Sequence, residues 1–143
     1  MKVNKKVGIG FVVFTVIIMS VIVFFYFIKD RTPLYEIAEN IEFSMMQDEQ
    51  NGYVLLISNN SQSAISSCSV EIYNKNIREE GSKSIFTNNN FKIKAGSNVE
   101  IKVGIHFDES HYLHFHGYRG FKLKKNRFII EGALDALTNT PSP

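Results

Sequence analysis

The chain has 143 residues, with 16 Lys and Arg against 14 Asp and Glu, and a formal net charge of +2. The basic excess lies before residue 32, because from Thr32 onward 11 basic residues stand against 13 acidic ones, a net charge of −2. A nucleic-acid-binding domain carries a basic patch of its own, so this balance argues against a nucleic-acid partner. The single cysteine, Cys68, excludes an intramolecular disulfide, and its alternation with Val70 and Ile72 predicts a small buried side chain.

Residues 7–28, with the sequence VGIGFVVFTVIIMSVIVFFYFI, contain no charged residue. As a helix this stretch would be about 33 Å long, enough to cross a hydrocarbon core of about 30 Å. It is longer than the apolar region of a cleaved signal peptide, about 7 to 15 residues, and no small-x-small cleavage site follows it. The sequence therefore predicts an uncleaved membrane anchor, with the lipid bilayer as the partner of residues 7–28.

The charges that flank this stretch predict the topology. Three lysines and the α-amino group precede it, whereas two basic residues and one acidic residue follow it before Thr32. The positive-inside rule then places the N-terminus in the cytoplasm and the remainder of the chain outside it. We expect a single-pass cell-membrane protein with three parts: a cytoplasmic stub and anchor (residues 1–31), an extracytoplasmic domain (32–137) and a disordered tail (138–143).

The first half of the expected domain shows strand patterns separated by turn residues. Pro33 ends the anchor helix, and residues 36–46 alternate between apolar and polar side chains, which predicts a strand. The Asn51-Gly52 turn then predicts that residues 53–57 pair with this strand. Residues 58–67 are polar and are expected to form a loop. Three further strands are expected after it, at residues 67–73, 82–86 and 91–94. Turn or loop residues at 74–76 and 88–90 separate them.

The second half contains the clearest pattern, at residues 98–107, where five apolar side chains project to one face at a strict period of two. Residues 108–120 are aromatic and histidine-rich and are expected to be irregular, with room for a short helix. Residues 127–134 form the last predicted strand. The basic residues at 122–127 fit a solvated turn between strands, and the alternative is a contact with anionic lipid or another polyanion. Several short strands separated by turns favour an all-β fold, an antiparallel β-sandwich.

The order of these elements resembles a known family. Four runs carry the resemblance: VLLISNNSQSAI, VEIYNKNIREEGSKS, FKIKAGSNVEIKVGIHF and FIIEGALDA. They place Asn59 and Asn60 at a turn, Gly81 in an arm, Gly96 before the alternating strand and Gly132 in the last strand. This pattern is similar to the type 2 late embryogenesis abundant (LEA type 2, or WHy) domain. The resemblance covers residues 36–136. It implies an immunoglobulin-like or fibronectin-like sandwich, a membrane anchor as in prokaryotic members, a binding or protective role under stress, and no catalytic residues.

All four histidines of the chain lie between residues 106 and 116. In an extended segment His114 and His116 share one side, and His111 can approach from a turn, so the three imidazoles form a candidate site for zinc or copper with an open position. The alternative is a polar loop in which the histidines alternate with packed Leu113 and Phe115. Beyond this hypothesis the sequence indicates no cofactor.

The sequence also bears on two further function classes. An enzyme would need a nucleophile with its base, a phosphate-binding glycine loop or paired carboxylates, and none of these patterns is present in the sequence, so no catalytic residue is expected. A pilin-like or secretion-apparatus assembly subunit would have a leader that ends at Gly10 and a mature chain that begins at Phe11. In such a subunit the fifth mature residue is usually Glu, whereas here it is Thr15.

Overall fold

The computed structural model describes residues 5–28, 32–48, 50, 52–104 and 110–138. The chain divides into two compact units, Met1–Arg31 and Thr32–Pro143. The first unit contains α1 (Lys5–Ile28). The second contains, in order, α2 (Leu34–Glu39), β1 (Ile41–Asp48), β2 (Gly52–Asn59), β3 (Ile65–Tyr73), β4 (Ser84–Ile93), β5 (Ser97–Lys102), β6 (Tyr112–Tyr118), a 3-10 turn (Lys124–Asn126), β7 (Arg127–Ala133) and α3 (Leu134–Thr138).

The helix α1 has 24 residues. Every Val, Ile, Met and Phe side chain from Val12 to Phe24 is exposed. Over the described residues, no helix qualifies as a membrane span by length and apolarity. The span predicted at residues 7–28 stays a prediction.

The strand predicted at residues 36–46 is wrong in its first part. Residues 34–39 form α2, and β1 begins only at Ile41. The apolar residues Leu34, Ile37, Ala38 and Ile41 also satisfy the helical spacing i, i+3, i+4 and i+7, so a short segment fits both periods. The helix prevails because it buries Ile37 completely against the domain core.

The first sheet has three antiparallel strands in the order β1-β2-β5. The predicted pairing of the first two strands is confirmed, with Phe43 opposite Ile57. The strand predicted at residues 98–107 is confirmed as β5, in which Ile101 lies opposite Leu55. It is shorter than predicted and ends at Lys102. Gly104 follows with a φ of 65°, a left-handed conformation that interrupts a strand. The rest of the prediction, at residues 105–107, lies outside the described residues.

The second sheet has four antiparallel strands in the order β4-β3-β6-β7, and it corrects two predictions. The loop expected at residues 88–90 is instead part of the continuous strand β4, which accommodates one extra residue in a bulge. The irregular segment expected at 108–120 contains β6, a central strand of the sheet. Its pattern is simple alternation, because Leu113, Phe115 and Gly117 are buried while the residues between them are only partly buried. The last predicted strand is confirmed as β7.

The two sheets share one hydrophobic core. Phe43 of the first sheet packs edge-on against Phe115 of the second, with ring centroids 5.6 Å apart. Cys68 lies in this core at 2 % exposure, which confirms its predicted burial. The second unit is therefore mostly β, with two antiparallel sheets that pack as in a sandwich, and the predicted all-β class is correct at this level.

Candidate functional site

The four-stranded sheet turns one face toward the core and presents a polar face on its other side. Val70, Ile72, Leu113, Phe115 and Phe128 are buried in the core. Because side chains alternate along strands, the residues between them project from the opposite side. We call this side the histidine face, and its central members are Glu71, Tyr73, His114, His116 and Glu131.

A row of two carboxylates and one imidazole crosses the middle of the histidine face. Glu71 of β3, His114 of β6 and Glu131 of β7 are direct cross-strand neighbours. The Nδ1 atom of His114 lies 3.8 Å from Oε2 of Glu71, and its Nε2 atom lies 3.7 Å from Oε2 of Glu131. These distances exceed hydrogen-bonding range, so the attraction is electrostatic and depends on protonation of the imidazole.

Both carboxylates have a second partner. The Tyr73 hydroxyl donates a hydrogen bond of 2.6 Å to Glu71, and Arg78 donates one of 2.7 Å to Glu131. The hydrogen bond to Glu71, with smaller contributions from burial and from the carboxylate charge, raises the pKa of Tyr73 to about 12. Tyr73 therefore stays protonated and holds Glu71 in place across the physiological range.

His114 and His116 are in direct contact. Nε2 of His116 lies 3.2 Å from Nδ1 of His114, and the ring centroids are 4.3 Å apart. Burial is the main cause that lowers the pKa of His116, and the neighbouring His114 and Arg127 lower it further. His116 is therefore neutral at pH 7, and one nitrogen of each ring is committed to the other.

The structure brings two of the three predicted metal ligands together. His111 precedes β6, where its carbonyl oxygen accepts a hydrogen bond from the amide of Leu134. His106 lies outside the described residues. Within the described ranges, no group of three or more His, Cys, Asp or Glu side chains is arranged to hold a metal ion. The site at His111, His114 and His116 stays a prediction.

A pocket of about 290 Å³ opens beside His116, where β4 bulges away from β3. Asn90 is the extra residue of the bulge and has a φ of 64°. Its Oδ1 atom accepts a hydrogen bond of 2.8 Å from Nζ of Lys122. The lining is mostly polar, and it comprises Ser67, Cys68, Ser69, Asn89, Asn90, His116, Tyr118 and Lys122.

The pocket was not predicted from the sequence. Three consecutive asparagines were interpreted as a loop, although asparagine also tolerates the positive φ that a bulge requires. The pocket's hydroxyl, amide, imidazole and ammonium groups suit the recognition of a polar ligand. Cys68 does not supply a nucleophile, because burial raises the pKa of its thiol to about 12 and the reactive thiolate is therefore not populated.

Comparisons of the chain with protein-family models, with curated proteins and with solved structures find no match.

Proposed function

We propose that this chain is a single-pass cell-membrane protein with a cytoplasmic N-terminus, and that its extracytoplasmic β-sandwich is a binding or structural module. The observation that carries the proposal is the apolar surface of α1. The described large hydrophobic side chains from Val12 to Phe24 are all between 42 % and 63 % exposed. A helix that is apolar on every side is stable only where a protein core or a bilayer covers it.

The domain supplies its own core and therefore does not need the anchor residues for packing. The core is formed by residues from Ile37 to Leu134, all of which belong to the second unit. A self-sufficient domain preceded by an uncharged segment of membrane length is typical of an anchored module. The uncharged segment, residues 7–28, would span the bilayer, and the basic residues before it favour a cytoplasmic N-terminus.

The strand order supports an immunoglobulin-like or fibronectin-like sandwich. Constant-type immunoglobulin domains place strands A, B, E and D in one sheet and C, F and G in the other. Here β1, β2 and β5 form one sheet, and β4, β3, β6 and β7 form the other. The fourth strand, β4, corresponds in order to strand D but pairs in the sheet that contains the counterparts of C, F and G. The LEA type 2 resemblance of the sequence implies a sandwich of this kind, and on that resemblance we extend the proposal to a stress-protective role.

The histidine face and its adjoining pocket form the proposed binding surface of the module. The polar groups there are fixed by hydrogen bonds, including those of Tyr73 to Glu71 and of Lys122 to Asn90. Binding rather than catalysis fits these groups, since they include a polar pocket but no activated nucleophile.

Alkaline extraction of membranes tests the anchor. We expect the wild-type chain to stay in the membrane pellet after carbonate washing. A variant with Val16→Lys and Ile17→Lys should be released, because each lysine costs about 2.5 to 3.5 kcal/mol at the centre of a membrane helix. As a control, Val12→Leu and Ile22→Leu leave the apolar character intact and should not change the partition. Extraction of the wild type into the supernatant would contradict the proposal.

The start of the mature chain separates this proposal from a pilin-like subunit. Intact-mass measurement should find Met1, or the residue that follows after removal of the initiator methionine, in the extracted protein. A mature chain that begins at Phe11 would favour the assembly subunit instead.

A metal-binding module is the second candidate, favoured by the contact between His114 and His116. Under the main proposal, a chelator should leave the melting temperature of the full chain unchanged. A chelator-dependent decrease that disappears in His114→Ala would support the metal site, because a bound metal stabilises the folded state by mass action.

A further inference from the structure

Residues 119–127, which join β6 to β7 and include the first residue of β7, combine positive charge with exposed apolar side chains. Their sequence is RGFKLKKNR, which contains five basic residues and no acidic residue. Phe121 is 72 % exposed and Leu123 is 47 % exposed. We call this segment the basic loop. Single exposed apolar residues are common, but two within a cationic loop are typical of a surface that contacts lipid.

The basic loop is held in one conformation by hydrogen bonds. The amide of Arg119 donates to the carbonyl of Asn126 over 3.0 Å, and the Asn126 side chain donates to the carbonyl of Phe121 over 3.2 Å. The Ser66 hydroxyl donates to the carbonyl of Tyr118, which fixes the end of β6 beside β3. These hydrogen bonds stabilise a backbone conformation in which Phe121 and Leu123 are exposed.

The basic loop also lies where the polypeptide enters the domain. The guanidinium of Arg119 donates a hydrogen bond to the carbonyl oxygen of Thr32. Thr32 follows Ile28, the last residue of the uncharged stretch, by four positions, and four extended residues cover at most about 14 Å. If residues 7–28 span the bilayer, covalent reach alone keeps Thr32 and the residues bonded to it near the membrane surface.

We propose that the basic loop docks on anionic lipid in the leaflet that faces the domain. Phe121 and Leu123 enter the interface, and the lysines contact headgroup phosphates. This inference rests on the proposed membrane anchor and adds a second, reversible contact to it. The charge complementarity is direct, since each lysine near an anionic surface favours binding by about 1 kcal/mol, which corresponds to about fivefold.

The absence of tryptophan from the sequence allows a direct test in the full-length protein. Phe121→Trp places one fluorophore in the basic loop, and we call it the loop tryptophan. Met46→Trp supplies the control tryptophan, because Met46 is also an exposed apolar residue, at 42 %, and lies in β1 five residues after its start at Ile41. Both proteins are reconstituted into vesicles of phosphatidylcholine alone or with phosphatidylglycerol, with and without brominated acyl chains.

We expect the loop tryptophan to emit at shorter wavelength and to be quenched by brominated lipid in the anionic vesicles, whereas the control tryptophan shows neither effect. Lys124→Glu with Lys125→Glu should reduce the docked fraction, measured by quenching of the loop tryptophan, by tenfold or more, and high salt should do the same by screening. These substitutions lie in an exposed turn and leave the core intact.

The outcomes separate the two proposals. Protein that sediments with vesicles but whose loop tryptophan emits like the control tryptophan overturns the docking and leaves the anchor standing; such a loop would instead be available to an acidic protein partner. Protein that stays in the supernatant with neutral vesicles overturns the anchor and, with it, the docking. Quenching of the loop tryptophan that is equal in neutral and anionic vesicles and unaffected by the charge reversals also contradicts the proposal, because it would not depend on lipid charge.

Discussion

Gly117 of β6 has no room for a side chain. A Cβ atom at this position would lie 2.3 Å from Cζ of Phe128, on the neighbouring strand β7. Phe128 is itself 7 % exposed and packs in the core near Phe115. The glycine is therefore required by a close approach between a strand and a ring.

Gly117→Ala should destabilise the domain by about 1 to 3 kcal/mol, the usual cost of overpacking a core. Chemical denaturation of the full chain, followed by circular dichroism, measures the loss. Phe128→Leu in the same chain removes the clashing ring atoms, so the double variant should be less destabilised than the two single changes would sum to. Strict additivity would contradict the contact.

Tyr73 and Glu71 form the best-defined polar pair of the histidine face. Because the hydrogen bond raises the pKa of Tyr73 from 10.0 to about 12, the folded state holds this proton more tightly than the unfolded state does. The contribution of Tyr73 to stability is complete below pH 10 and is lost as the pH rises from about 10 to about 12.

Glu71→Gln should bring the pKa of Tyr73 down toward its ordinary value and weaken this alkaline dependence. Ultraviolet titration of tyrosinate, taken as the difference between wild type and variant, measures the change. Glu131→Gln is the control, since Glu131 contacts Arg78 and His114 rather than Tyr73. A titration that responds equally to both substitutions would argue against the specific hydrogen bond.

The individual elements show where sequence patterns suffice. Strict alternation identified β5 and the burial of Cys68, because one buried face leaves a period of two in the sequence. The same alternation is present in β6, where histidines alternate with Leu113 and Phe115, but this polar, histidine-rich segment was interpreted as a loop. The helix α2 was missed because six residues are too few to distinguish the two periods.

The turn after β2 depends on a buried polar network around Asn59, which is fully buried. Its Nδ2 atom donates to the carbonyl of Ser63 over 2.8 Å, and its Oδ1 atom accepts from the Ser61 hydroxyl over 2.6 Å. A second bond from Nδ2 reaches the carbonyl of Lys94, just before β5. Asn59 thus joins the turn to a segment 35 residues later.

Asn59→Ala should cost about 2 to 3 kcal/mol, because it removes the buried side-chain oxygen that accepts from the amide and the hydroxyl of Ser61. It also removes one donor to each of the carbonyl groups of Ser63 and Lys94. Asn60→Ala provides the control, since Asn60 is exposed and its backbone amide, which the substitution keeps, donates to the carbonyl of Asn40. Equal effects in urea denaturation of the two variants would contradict the network.

At the scale of the whole molecule, the sequence was sufficient for an all-β class with antiparallel strands. It was not sufficient for the sheet order or the pocket. The sheet order depends on which edge of β3 pairs with β4, and the pocket depends on the bulge at Asn90. Contacts between residues distant in sequence decide both features. The spacing of His114 and His116 predicted that they share one side of an extended segment, whereas Glu71 and Glu131 enter the row only through strand pairing.

Protease accessibility most directly tests the proposed orientation, in which the N-terminal helix holds the domain outside the cytoplasm. Protease added to intact spheroplasts that contain the full chain should digest the domain and leave a small N-terminal fragment in the membrane. A cytoplasmic marker protein controls for leakage. We expect the domain to be digested to the same extent before and after the membrane is dissolved with detergent. A domain that resists protease until detergent is added would contradict the proposed orientation.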